Sequence, residues 1–244
     1  PPFGSGIVLI GDAKFSGDGR SIRLTDPQPS SPSSSGLLIQ KKPIRLFASD
    51  AKSKKKKPIS FSADFTFSVS PRAGGGLAFL LLPENSLSKL LPSPSNDSVG
   101  FGIPRGARFF EVEFGTSVDG RNLGDLNGNH VSIHVGSPVA VETSNVSSIG
   151  LVLNSGLKLH SRIDYDATSK RFEIRLSSFS DRRPYDPLLV YRIDLLRTWG
   201  DEDPVYAGLR SSSNGGGDSW QFSSVYSWSF TTRTVPRWLH SQPV

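Results

Sequence analysis

Residues 59–70 read ISFSADFTFSVS, and this stretch decides the class of fold. A small or polar residue follows each apolar one, and the apolar residues are Ile59, Phe61, Ala63, Phe65, Phe67 and Val69. A period of two with aromatic and β-branched side chains predicts a strand with one buried face. Similar alternation in residues 131–135, 172–176 and 226–230 predicts three more strands of this kind.

The rest of the chain adds strands and almost no helix. Residues 77–82 (LAFLLL) are continuously apolar, which predicts a strand covered on both faces. Turn-rich segments separate the strands, at residues 27–35, 72–76, 92–97 and 211–218. The only helical candidate, residues 84–91, lies between two prolines. Many short strands between Gly, Pro and Ser loops predict an all-β protein, a jelly-roll sandwich of antiparallel sheets, and residues 1–244 read as a single domain.

Composition excludes several classes of site. No apolar run is long enough to span a membrane, and the absence of cysteine excludes disulfides, metal thiolates and a catalytic thiol. The net charge is +6, with a dense run at Lys52 and Lys54 to Lys57. Such a run can bind an acidic polymer. No aromatic residues interleave with these lysines as base stacking would require, so we expect a solvated loop and no nucleic-acid partner.

Carboxylates and one imidazole are concentrated in residues 111–130, EVEFGTSVDGRNLGDLNGNH. Glu111 and Glu113 stand two apart on a predicted strand and therefore share a face. Asp119, Asp125 and His130 follow in a segment rich in Gly and Asn. This set of donors suits a divalent metal ion, with loop carbonyls as further oxygen ligands. The alternative is a charged strand end followed by an Asp/Gly turn.

The order of short motifs along nearly the whole chain resembles that of the legume lectins. The metal-loop signature corresponds to Glu113, Phe114, Gly115 and Thr116, followed by Asp125 and His130. Its Asp-Leu-Asn-Gly-Asn-His ending most resembles the extracellular domains of plant lectin-receptor kinases. The other motifs that match in order are Gly11-Asp12-Ala13, Ser35-Gly36, Lys42-Pro43-Ile44, Gly76-Leu77-Ala78-Phe79, Ile163-Asp164-Tyr165-Asp166 and Ser227-Trp228-Ser229-Phe230.

This resemblance implies manganese and calcium ions side by side, which fix the loops of a shallow sugar site. The transition-metal positions are Glu113, Gly115, Asp125 and His130. Calcium would use Gly115, Asp125, Ser117 through its backbone carbonyl, and Asp119. Glycine at 115 replaces the aspartate that bridges both ions, so we expect weakened binding of both. We also expect Gly115→Asp together with Gly75→Asp to restore lectin behaviour.

The implied sugar site is altered as well. Its key aspartate corresponds to Gly75, beside Gly76, the stacking aromatic to Ser117, and the asparagine amide to Asp119. The last specificity loop corresponds to residues 210–218, beginning with Arg210 and Ser211. The chain is thus expected to be a carbohydrate-binding recognition domain with a weakened site. The alternative is a lectin-fold module that binds a protein, a cell-wall polymer or a hydrophobic small molecule.

No enzymatic activity is expected. Glu111 and Glu113 approach the spacing of a retaining glycosidase pair, but Gly115 and Ser117 continue that face without a further carboxylate. Asn96 and Asn145 stand in N-glycosylation sequons, as in an exported protein. With the resemblance, they favour an extracellular or cell-surface location, a glycan or cell-wall polysaccharide as partner, and a membrane tether beyond this segment. A homodimer is compatible with the family.

Overall fold

A computed structural model describes most of the chain. The described residues are 3, 6–29, 33–49, 55–72, 74–87, 98–99, 103–104, 108–118, 124–178, 184, 186–199, 204–213 and 220–233. Two seven-stranded sheets account for about half of them, and every pair of neighbouring strands in these sheets is antiparallel.

The strands are numbered in chain order. The front sheet contains, in spatial order, β1 (Ile7–Gly11), β4 (Ser34–Gln40), β17 (Val205–Ser213), β8 (Leu77–Pro83), β11 (Phe110–Gly115), β12 (His130–Val135) and β13 (Glu142–Asn145). The back sheet contains β16 (Leu189–Arg192), β15 (Arg171–Ser177), β14 (Leu159–Asp166), β7 (Ser60–Val69), β18 (Ser223–Arg233), β3 (Ile22–Arg23) and β2 (Lys14–Phe15). Two small ribbons pair β5 (Phe47–Ser49) with β6 (Lys56–Pro58) and β9 (Ser98–Val99) with β10 (Ile103–Pro104). Short helices are α1 (Glu84–Leu87), α2 (Leu195–Trp199) and a 3₁₀ helix at Val146–Ile149.

The alternating face of β7 lies at the centre of the core between the sheets. Phe61, Phe65 and Phe67 are fully buried, as the sequence predicted. Aromatic rings join the two layers, with the Phe110 ring stacked on that of Phe172 at a centroid distance of 4.1 Å. Burying such rings contributes about 2–3 kcal/mol each, so core packing supplies much of the stability. The all-β, jelly-roll sandwich of antiparallel sheets is confirmed.

Strand β8 is covered on both faces, which confirms the interpretation of its continuous apolar run. Leu77, Phe79 and Leu81 point into the core between the sheets. Leu80 and Leu82 form a second buried cluster on the outer face of the front sheet with Phe109. The front sheet therefore has a partly buried outer face, and this face carries the charged residues described below.

Three predicted segments differ in the structure, and helix α2 was not predicted, since residues 84–91 were the only helical candidate. A turn was predicted at residues 211–218, but residues 211–213 continue strand β17. The polar side chain of Ser211 is accommodated there because its hydroxyl donates to the buried Gly76 carbonyl. Residues 34 and 35 begin β4 although the segment 27–35 was predicted as a turn. Part of the lysine run, Lys56–Pro58, pairs with Phe47–Ser49 as a ribbon, while Lys52 and Lys54 lie outside the described residues. Within the described part of the chain, no helix is long and apolar enough to cross a bilayer.

Candidate metal and sugar site

Strands β11 and β12 bring the predicted metal ligands to one face of the front sheet. Gly115 pairs with His130 and Glu113 with Ser132, so these side chains project to the same side. Phe110, Val112 and Phe114 alternate with them and fill the core. The prediction that Glu111 and Glu113 share a face is therefore confirmed, and it is the outer face of the sheet.

Three of the four predicted metal-site side chains meet. One ligand atom from each of Glu113, Asp125 and His130 lies within 4.8 Å of the other two. His130 is fully buried, and its Nε2 lies 3.4 Å from Asp125 Oδ1. Asp119 lies outside the described residues. An imidazole with two carboxylates is a donor set that suits a hard or borderline divalent ion, such as Mn²⁺ or Zn²⁺.

The hydrogen bonding of His130 leaves one ring nitrogen open. Its Nδ1 contacts the backbone carbonyl of Asn127, which can only accept, so a neutral ring carries its proton on Nδ1. Its Nε2 then presents a lone pair and has no hydrogen-bond partner among the described residues. A buried lone pair that faces two carboxylates is unfavourable unless a cation or a proton lies between them.

Gly115 distinguishes this cluster from a two-metal site with a bridging carboxylate. A Cβ atom at 115 would lie 2.4 Å from His130 Cε1 and 2.5 Å from His130 Nε2. The His130 ring therefore occupies the space that a side chain at 115 would need. The described residues fit one ion and do not fit a bridged pair. The expectation that Gly115→Asp simply restores the shared anion overlooked this collision.

Asn129 stabilises the end of the metal loop, the segment between β11 and β12. This role was not predicted from the sequence. Its Nδ2 donates to Ser147 Oγ and to the Leu151 carbonyl, both at 2.9 Å, and its Oδ1 accepts from Leu153 N at 2.9 Å. These bonds tie the residue before His130 to the 3₁₀ helix and the segment after it. Its place directly before the metal-site histidine is the only sequence signal for this role.

His134 supports Glu113 from the neighbouring strand. Its Nε2 lies 3.1 Å from Glu113 Oε2 and 2.9 Å from Ser132 Oγ, and its Nδ1 lies 3.0 Å from the Pro138 carbonyl. Burial opposes its charged form, but the bond to Glu113 and the charge of Glu111 outweigh burial and raise its pKa. His134 is therefore a buried, hydrogen-bonded residue.

Glu111 and Arg210 form a buried pair of opposite charge farther along this face. Burial raises the pKa of Glu111 to about 7 against the opposing effect of Arg210. Burial likewise lowers the pKa of Arg210 to about 10. Glu111 Oε2 has no hydrogen-bond partner among the described residues. The assignment of Arg210 to an open sugar-binding loop is wrong, because it is a strand residue with a buried side chain.

The glycine segment of the predicted sugar site lies beside Thr116, at the end of β11. Gly76 has a positive φ of 78°, and a Cβ there would lie 2.1 Å from the Phe114 carbonyl, so only glycine fits. Ser117 is exposed next to this segment. Ser211 was also predicted to contact the sugar. Ser211 is buried, and its hydroxyl donates to the Gly76 carbonyl at 2.5 Å, so it holds the glycine segment from its buried side.

One buried glutamine, missed by the sequence analysis, holds this segment. Gln221 Oε1 accepts from Gly76 N at 2.8 Å, and its Nε2 donates to the Arg72 carbonyl at 2.6 Å and to Thr116 Oγ1 at 2.8 Å. No sequence signal indicated this role, since Gln221 is distant in sequence from all three partners.

One of the two N-glycosylation sequons, at Asn145, lies at the start of a short helix. Asn145 caps the 3₁₀ helix, and its Oδ1 accepts from Ser147 N at 2.9 Å. A glycan attaches to the side-chain nitrogen, so this cap is compatible with modification. Asn96 lies outside the described residues.

Comparisons with known proteins identify the family of the chain. Residues 2–244 match the family described as the legume lectin domain. The L-type lectin-domain containing receptor kinase VIII.1 of Arabidopsis thaliana is 31% identical over 235 residues, which cover 93% of this chain and 30% of that protein. The chain therefore spans about a third of the length of that relative.

Solved structures share the fold. Lectin II from Ulex europaeus matches with a TM-score of 0.73 and 25% identity, covering 94% of each chain. The lectin UEA-II complexed with galactose matches with the same TM-score and identity, covering 94% of this chain and 93% of that one.

Proposed function

The chain belongs to the legume lectin family, and on that premise we propose that residues 1–244 form a single extracellular domain that binds carbohydrate through a metal-supported site. The observation that carries the proposal is the open Nε2 of buried His130. It faces Asp125 and Glu113 next to the loops that bear Ser117 and Gly76.

A single divalent transition-metal ion is the cation that we propose for this cluster. Glu113, Asp125 and His130 would hold it, with Asp119 as a further candidate oxygen ligand. The Asn127 carbonyl fixes the tautomer of His130, and His134 orients Glu113. When bound, the ion supplies positive charge that neutralises the two carboxylates and fixes the loop between β11 and β12. A calcium ion beside it would lack the bridging carboxylate, because residue 115 is glycine.

The sugar contacts that we propose come from Gly75, Gly76, Ser117 and Asp119. A Cβ at Gly128 would lie 3.4 Å from the Thr116 carbonyl and 3.8 Å from Ser117 Cα, so the metal loop packs directly on the strand end that presents Ser117. Ser117 offers a hydroxyl and no ring, and Gly75 offers only backbone. The site therefore lacks a stacking platform, and binding to a single sugar is expected to be weak.

Binding without catalysis is the proposed activity. Glu111, the second carboxylate of the strand pair, has a buried side chain beside Arg210, where it does not reach a substrate. The receptor kinase relative has a further two thirds of its length outside the matched region. A membrane tether and a signalling region beyond this segment are therefore part of the proposal, and a homodimer is compatible with it.

Export is supported by the capped sequon at Asn145 and by the relatives. If the domain is exported, protein from a plant host should lose mass on treatment with an N-glycosidase. Peptide mapping that finds both Asn96 and Asn145 unmodified would count against export.

Glycan-array binding in the presence of Mn²⁺, Ca²⁺ or EDTA tests the proposed function. We expect weak binding that needs Mn²⁺ and is lost at least about tenfold in His130→Gln, which removes a ligand without adding charge. The matched control is His160→Gln on the back sheet, whose Nε2 lies 2.7 Å from Asp64 Oδ1 and which should bind like the parent. Absence of any glycan binding with metal present would refute the proposal.

A further inference from the structure

The amide of Gln221 is completely used by the loops of the candidate site. Its side chain is 1% exposed, and its two ends contact different kinds of group. The Arg72 carbonyl can only accept and the Gly76 N–H can only donate, so these two partners fix which end is nitrogen and which is oxygen. The second Nε2 proton goes to Thr116 Oγ1, and the Thr116 hydroxyl then donates to the Gly74 carbonyl at 2.9 Å.

These bonds connect segments that are distant in sequence. Gln221 is 145 residues from Gly76 and 105 residues from Thr116. Its own backbone is held on both sides, since its carbonyl accepts from Thr25 Oγ1 at 3.0 Å and its N–H donates to Ser213 Oγ at 3.3 Å. The glutamine is thus a fixed point on the scaffold and not part of a free loop.

Close packing also places Gln221 against the glycine segment. A Cβ added at Gly74 would lie 2.7 Å from both Cβ and Oε1 of Gln221, so the glutamine lies directly against the backbone of Gly74. Gly76 is held at its N–H by Gln221 and at its carbonyl by Ser211. Gly75 therefore stands between two residues whose positions are both fixed by side chains that are themselves buried.

From this geometry we infer that Gln221 is the positioning residue of the sugar-contacting loop, and that it holds Gly74 to Gly76 against Thr116 without any metal ion. The inference rests on the proposed function only in calling this loop the sugar-contacting one. Metal binding at Glu113, Asp125 and His130 and ordering of the glycine segment are then separable properties. Removing metal would weaken glycan binding through Ser117 and its neighbours, while the glycine segment would stay in place.

Amide hydrogen exchange of Gly76 tests this inference and needs no sugar. The variants are Gln221→Leu, which removes every hydrogen bond of the amide, and Gln221→Glu, which keeps an acceptor but places a carboxylate oxygen against the Arg72 carbonyl. The matched control is Gln40→Leu. Among the described residues, Gln40 Oε1 accepts a side-chain hydrogen bond from Trp228 Nε1 alone, at 3.2 Å, away from the site. Each protein is measured with EDTA and with Mn²⁺.

We expect exchange at Gly76 to accelerate at least about tenfold in Gln221→Leu and Gln221→Glu, because a buried N–H loses its acceptor or the loop loses its geometry. Gln40→Leu and EDTA should each leave the rate within about twofold of the parent. Mn²⁺ affinity should be unchanged in Gln221→Leu, a result that general loss of folding would not give.

A second variant keeps the inference testable if the glutamine variants do not fold. Gly74→Ala pushes on Gln221 from the other side and should accelerate exchange at Gly76 by a similar factor, whereas Gly17→Ala adds its Cβ to open space and should not. The inference is overturned if Gln221→Leu exchanges like the parent, or if EDTA alone accelerates Gly76 as much. Protected Gly76 in a protein that binds no glycan would overturn the proposed function and leave this inference standing.

Discussion

The outer faces of the two sheets both carry charged side chains, but their acceptor atoms are satisfied differently. On the back sheet, Asp64 contacts His160 at 2.7 Å and Arg162 at 2.6 Å. Its neighbour Asp164 contacts Arg162 and accepts from Ser62 Oγ at 2.5 Å. On the front sheet, by contrast, Glu111 Oε2 and His130 Nε2 have no hydrogen-bond partner among the described residues.

This difference in hydrogen bonding suggests different roles for the two outer faces, stability for the back sheet and ligand binding for the front sheet. The carboxylates of Asp64 and Asp164 contact donors within the protein, so they need no added cation and contribute to stability. Buried acceptors without donors must be satisfied from outside, since leaving them open is costly. Glu111 can take up a proton, because its pKa is raised to about 7 by burial. His130 faces carboxylates and is suited to a metal ion. The front face is therefore the one that we propose as the binding face.

The largest effect is expected from breaking the charged cluster on the back sheet. Asp164→Ala removes a side chain that contacts Arg162, Arg175 and Arg233 and is 10% exposed. Leaving the buried Arg175 and the half-buried Arg162 without this carboxylate should cost about 3–5 kcal/mol in the free energy of unfolding, measured in urea. Mn²⁺ affinity should not change. A cost below about 1 kcal/mol would show that the cluster on the back sheet contributes little to stability. Asp18→Ala, at an exposed aspartate, is the control.

A pH-dependent effect of about 3 kcal/mol is expected from Glu111. Its pKa in the folded protein is about 7, against an ordinary value of 4.5 for the carboxyl in the unfolded chain. Between these values the folded protein holds a proton that the unfolded chain has released, so the free energy of unfolding should fall as pH rises from about 4.5 to 7. Glu111→Gln should lack this fall, because its amide does not titrate. Urea unfolding with EDTA across this range gives the comparison, and parallel curves for parent and variant would contradict it.

A smaller effect is expected from filling the space at Gly115. Gly115→Ala places a Cβ about 2.4 Å from the buried His130 ring, which must move. We expect a loss of about 1–3 kcal/mol in stability and at least a tenfold loss in Mn²⁺ affinity. Gly17→Ala, whose Cβ meets nothing within 4 Å, is the control. Equal or tighter Mn²⁺ binding in Gly115→Ala would mean that the ring is not a ligand in this position.

The smallest effect is expected from metal removal. The core between the sheets and the bonds of Gln221 do not involve the metal cluster, so EDTA should lower the melting temperature by no more than a few degrees. Differential scanning calorimetry measures this. A drop of ten degrees or more that Mn²⁺ reverses would show that the metal loop is coupled to the whole fold.

The sequence predicted the parts of the fold in which the order of apolar and polar residues determines which side chains are buried. Alternation around Phe65 and the apolar run at 77–82 fixed the faces of β7 and β8, because burial acts on each side chain in turn. Serine-rich β17 gave no such pattern, since its hydroxyls are buried against partners distant in sequence, as Ser211 is against Gly76. Gln221 was missed for the same reason. The collision of residue 115 with His130 depends on strand register, which spacing alone does not give.

Metal stoichiometry tests the central claim, that Glu113, Asp125 and the open Nε2 of His130 bind one cation. Isothermal titration of Mn²⁺ into the metal-free protein at neutral pH, with native mass spectrometry of the product, counts the ions directly. We expect one Mn²⁺ per chain, lost in His130→Gln and kept in His160→Gln, with no second site when Ca²⁺ is added. Two ions per chain, or none, would contradict the claim.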